Sequence, residues 1–79
     1  MTPEQARQAI KEALGQVAPE ADLDNLAPDA DLRDTLELDS LDFLNFVEAL
    51  CKRAGRRIDE DDYPHLATLA SGVKFLTRS

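Results

Sequence analysis

Two stretches of helical periodicity, separated by a long segment that has none, constrain this chain more than any other feature. In residues 2–17, Ala6, Ala9, Ile10, Ala13, Leu14 and Val17 recur at helical spacing along one face, with Arg7, Lys11 and Glu12 opposite. Thr2 suits the N-cap, Pro3 the first helical position, and Gln5 completes a Thr-x-x-Gln capping box. Pro19 ends this helix. In residues 40–54, Phe43, Leu44, Phe46, Val47, Leu50, Cys51 and Ala54 share one broad arc at about 100° per residue. Asp42, Asn45, Glu48, Lys52 and Arg53 occupy the other side, and Leu41 falls among them. A lone exposed leucine is ordinary, but one placed directly after a helix-starting serine is also a candidate contact residue.

Residues 18–39 show no sustained periodicity and are punctuated by Pro19 and Pro28. They still carry Leu23, Leu26, Leu32, Leu36 and Leu38, too many apolar residues for a free linker. The expectation is a long loop pinned to the core by its leucines, with a short helical turn near Ala30–Leu32. Gly55 suits the C-terminal stop of the second helix, and Lys52 and Arg53 complement its dipole. Ile58 then stands alone before Asp59-Glu60-Asp61-Asp62, acids suited to the first turn of a short helix reaching about His65, which Pro64 keeps short. Thr68 caps a final helix lined by Leu69, Val73 and Leu76, with Gly72 between them. The pattern predicts an all-α fold: one small four-helix bundle over residues 1–79, with a long first loop and a short third helix.

Composition narrows the function. A chain of 79 residues buries a modest core and holds no cleft between domains. Sixteen acids against nine bases give a net charge of −7, which repels phosphate backbones and anionic lipid, so neither nucleic acid nor a membrane surface is an expected partner. Partners with basic patches fit better, although acidity also serves solubility alone. Cys51, the single cysteine, cannot form an internal disulfide, and its place on the apolar arc suggests a buried, inert thiol. With Cys51 and His65 the only soft ligands, no zinc site is expected. Asp29-x-Asp31 lacks the turn glycine of a calcium loop, and the contiguous acids 59–62 fan around their helix. No apolar run approaches the roughly 20 residues of a membrane span. The Thr2-Pro3-Glu4 start does not read as a signal peptide, so the expected compartment is the cytoplasm.

The chemistry concentrates in Leu38-Asp39-Ser40-Leu41-Asp42, which sets a serine between the long loop and the start of an amphipathic helix. Free backbone N–H groups and the positive end of the helix dipole favour a phosphate ester there. Serine is equally an ordinary N-cap. No base accompanies it in the sequence, because His65, the one histidine, belongs to the short third helix.

Asp39-Ser40-Leu41, opening a helix after a long acidic loop, resembles the attachment site of the acyl carrier proteins. The resemblance covers nearly the whole chain, including the helix order and Gly55 followed by the isolated Ile58. It implies an acyl-carrier-type four-helix bundle in which a phosphopantetheinyl transferase moves 4′-phosphopantetheine from coenzyme A onto Ser40. The arm's thiol would then hold acyl groups as thioesters for partner enzymes of fatty-acid, lipid or polyketide-type biosynthesis. On that account the chain is a non-catalytic carrier, with a monomer the simplest expectation for a shuttle. Asp39 and Leu41 would present the site, and Glu37, Asp42, Glu48 and Asp34 would add charge for acyl-loading and acyl-processing enzymes with basic docking patches. Between Glu20 and Glu48 there are ten acids and one base, Arg33.

Two alternatives stay open. One is a peptidyl or aminoacyl carrier of a nonribosomal pathway; the other is a helical interaction module without a prosthetic group, in which Ser40 is only an N-cap. The chain also departs from fatty-acid carriers. Asn45 stands where an acid is common, Glu48 where an apolar contact often sits, and Lys52, Arg53, Arg56 and Arg57 put four bases within six residues. That cluster is either a solvated helix end or a docking feature for other partners. Phe43, Phe46, Val47 and Leu50 could part to shelter a short acyl chain, but plain core packing is the preferred reading.

Overall fold

Local capping explains most of the helix boundaries. In the computed structural model, which describes residues 1–78, the Thr2 hydroxyl accepts the Gln5 N–H (3.1 Å) and the Gln5 side chain accepts the Thr2 N–H (3.0 Å). This closed box starts α1 (Pro3–Val17), which buries Ala6, Ala9, Ile10, Ala13 and Leu14. Three short residues of that face, Ala6, Ala9 and Ala13, let other helices approach closely. A 3-10 turn at Leu23–Asn25, which periodicity did not reveal, interrupts the loop.

The helical turn expected near Ala30–Leu32 lies a little later, as α2 (Leu32–Thr35). Asp31 sets the start because its carboxylate accepts the Asp34 N–H (3.0 Å), an N-cap that Ala30 could not provide. α3 spans Ser40–Ala54 and ends at Gly55, whose φ of 66° is the left-handed conformation that glycine adopts without strain. The short third helix is a 3-10 helix (Glu60–Leu66) containing Pro64, and α4 (Leu69–Leu76) is capped by Thr68. Among the described residues the one β pairing is an isolated bridge between Asp31 and Thr68, so the fold is all-α as expected.

α1 lies at the centre, packed against both α3 and α4. The core gathers Ile10, Leu14, Leu32, Phe46, Leu50 and Leu66, all essentially without solvent contact, and Ile58 is buried beside them. The long loop is indeed held by its leucines: Leu32 and Leu38 are buried, and Leu23, Leu26 and Leu36 are partly buried against the core. Backbone bonds hold it as well. The Leu32 N–H donates to the Ala67 carbonyl (2.8 Å) and the Ala70 N–H to the Pro28 carbonyl (2.9 Å), tying the loop to the start of α4.

Five side chains differ from expectation. Leu44, assigned to the apolar arc of α3, is exposed, while Ala49 is buried. Cys51, expected to be buried, is only half-buried. On α4, Phe75 takes the buried place and Val73 is partly covered. In both helices the buried face is turned toward a small residue, Ala49 or Gly72. A Cβ on Gly72 would stand 2.9 Å from Ile10 Cδ1, so the glycine marks a close crossing of α4 over α1.

Candidate functional site

The segment Leu36–Asp42 carries the serine singled out above. α2 ends through Glu37, the one non-glycine residue with positive φ (55°) among those described, and the Leu38 N–H reaches back to the Arg33 carbonyl (2.9 Å). This closure is the usual way a helix ends through a left-handed residue, and it turns Leu38 inward beside Leu32 in the core. Asp39 therefore emerges extended at the start of α3. Its Oδ1 accepts the Asp42 N–H (2.8 Å), and Asp42 Oδ2 receives the Asp39 N–H at 3.5 Å.

Asp39, and not Ser40, is thus the N-cap. Ser40 is the first helical residue, exposed to solvent, and its hydroxyl takes part in no side-chain hydrogen bond among the described residues. The helix start is already capped without it, which removes the structural role that a purely helical interaction module would have given this serine. The hydroxyl stands next to the positive end of a four-turn helix, where an attached phosphodiester is electrostatically favoured. Exposure, a free hydroxyl and this field together fit a phosphopantetheine ester.

The other residues expected at the site are distributed around Ser40. Leu41 is 65% exposed and Leu44 44% exposed, so two leucines one turn apart form an apolar pair beside the serine. The sequence pattern had marked only Leu41. Asp39 and Asp42 hold the capping box, Glu37 lies at the left-handed turn, and Glu48 is exposed two turns along α3, about 12 Å from the serine position along the axis. Arg33, the single base among these acids, lies over the Phe43 ring at 5.5 Å. His65 is stacked on Phe75 (5.3 Å between centroids, 5° between planes) and is committed to α4.

Three bases of the cluster at the end of α3 and just beyond it have partners. Arg53 pairs with Glu12 of α1 (2.8 Å), Arg57 with Asp59 (2.8 Å), and Arg56 lies over Phe75 at 4.8 Å.

A family model described as the phosphopantetheine attachment site matches residues 4–76. The chain belongs to this family. A carrier domain of this kind bears covalently attached 4′-phosphopantetheine and works through a phosphopantetheinyl transferase and partner enzymes. The match extends over all four main helical segments of the carrier, from the first turn of α1 to the end of α4. A comparison with curated proteins finds no match. No described helix of the carrier is long and apolar enough to cross a membrane.

Proposed function

We propose that Ser40 is the attachment residue and that the chain is a non-catalytic acyl carrier of fatty-acid, lipid or polyketide-type biosynthesis. The observation that carries this is the division of labour at the start of α3: Asp39 caps the helix, leaving the exposed Ser40 hydroxyl unengaged. Ser40 supplies the hydroxyl alone. His65, the one histidine, is stacked on Phe75, so the base that takes the hydroxyl proton belongs to the transferase. Once attached, the arm supplies a flexible thiol able to hold cargo as a thioester. Leu41 and Leu44 offer an apolar contact, and Glu37, Asp39, Asp42 and Glu48 surround it with negative charge suited to basic docking surfaces.

The test is incubation with coenzyme A and a broad-specificity phosphopantetheinyl transferase, followed by intact mass measurement. A gain of one phosphopantetheine that Ser40→Ala abolishes is the expected result. No gain on the folded protein, with a known carrier labelled in parallel, would overturn the assignment. Offering the modified protein to acyl-activating and aminoacyl-activating enzymes then tests the cargo class, with acyl loading expected.

A further inference from the structure

We propose that the groove between α1 and α3 docks a segment of a partner enzyme that carries a basic side chain toward Asp42 and Glu48 and an acidic one toward Lys52. This rests on the chain being a carrier served by partner enzymes, and adds to it a surface of mixed sign on the flank of α3 that faces α1. The groove has a volume of about 580 Å³, within the roughly 300–1,000 Å³ of binding sites. Gln16 of α1 and Asn45 of α3 line it, with Asp42 and Glu48 toward the start of α3 and Lys52 and Arg53 toward its end.

Lys52 decides what fits there. Its neighbours in the basic cluster are engaged: Arg53 by Glu12 (2.8 Å), Arg57 by Asp59 (2.8 Å), and Arg56 over the Phe75 ring (4.8 Å). Lys52 is exposed, and the ion pairs among the described residues do not include it. They do not include Glu48 either, although it precedes Lys52 at the i,i+4 spacing that favours pairing on a helix. Both charges are therefore open to an outside partner.

The order of signs along the groove sets the chemistry of that partner. Asp42 and Lys52 are separated by about 15 Å along the helix axis. That exceeds the Debye length of about 8 Å at physiological salt, so the acids beside Ser40 do not mask the Lys52 ammonium through solvent. A uniformly basic surface laid along the groove is attracted at Asp42 and Glu48 and repelled at Lys52. A segment with one change of sign satisfies both ends and docks in one direction only. The span matches an extended segment of about five residues, roughly 13 Å between its ends. The side-chain amides of Gln16 and Asn45 offer donors and acceptors to the backbone between those ends.

The test titrates three blocked pentapeptides into the ¹⁵N-labelled, arm-bearing chain, with modification verified by mass. One has the order lysine, serine, alanine, serine, glutamate; the second has lysine at both ends and the third glutamate at both ends. At low salt the mixed peptide should give saturable amide shifts at Gln16, Asn45 and Lys52 and bind about threefold more tightly than either of the others. In Lys52→Glu, a change at an exposed position, the doubly basic peptide should become the tightest binder. Equal or tighter binding of the doubly basic peptide to the unaltered chain, shifts spread evenly over the acids of the first loop, or no saturable shift with any peptide would overturn the mixed-sign site and leave Ser40 as the attachment residue. Absence of any mass gain would overturn the carrier reading and this docking site with it.

Discussion

At Ser40 the decisive detail is one residue of register. A serine one position earlier would cap the helix and be tied to the backbone. As the first helical residue it is spared that task by Asp39, whose carboxylate accepts the Asp42 N–H. Ser40→Ala should therefore change unfolding free energy by less than about 0.5 kcal/mol, whereas Asp39→Ala should cost about 1 kcal/mol. Urea unfolding of the two variants separates these roles, and a larger loss for Ser40→Ala would contradict the assignment of the cap. Glu37 makes the opposite case. Its φ of 55° matches the 66° of Gly55, yet it carries a side chain there. Glu37→Gly is expected to stabilise the fold by about 0.5–1 kcal/mol, read as a higher urea midpoint at unchanged slope. Strain kept beside the proposed attachment residue fits the proposed use of the Glu37 carboxylate in docking.

Among the elements, the helices meet along small residues. Ala6, Ala9 and Ala13 on α1, Ala49 on α3 and Gly72 on α4 are all buried. On α3 the periodicity, weighted by large apolar side chains, left out Ala49 and took in Leu44, so it centred the arc roughly 60° away from the buried face. Leu44 consequently lies in solvent, beside Leu41, and Phe75 rather than Val73 enters the core. Gly72→Ala should be nearly neutral, because a gain in helix propensity of about 1 kcal/mol offsets displacement of the Ile10 terminal methyl group. Gly72→Val, which adds bulk at the same crossing, should cost about 1–3 kcal/mol. Gly55→Ala isolates the backbone, since nothing lies within 4 Å of a Cβ there. A loss of about 1 kcal/mol is expected from the positive φ alone, measurable by thermal unfolding.

For the molecule as a whole, charge and packing serve different purposes. The three described ion pairs are all solvent-exposed to some degree, so they contribute little stability at ordinary salt. Stability rests on the core, and Phe46→Ala should cost about 3–5 kcal/mol, enough to unfold much of a domain this small. The net charge of −7 acts instead on association. If docking uses the acids around Ser40, kcat/KM for arm transfer should fall severalfold between about 50 and 300 mM salt, with kcat little changed. A rate independent of salt would rule out electrostatic steering by this surface.

Much of this molecule could be read before any coordinates, for a physical reason. The capping box at Thr2, the cap at Thr68, the stop at Gly55 and the face of α1 depend on residues close in sequence, so local spacing suffices to locate them. The serine's place at a loop–helix junction is local in the same sense. Other properties depend on contacts between distant parts of the chain. The tie of Pro28 and Leu32 to the start of α4, the side of α3 that faces α1, the exposure of Leu44 and the groove between α1 and α3 all belong to this class. They follow from which helices approach most closely, and that is set by the small side chains at their crossings, whose effect emerges only once the elements are packed together.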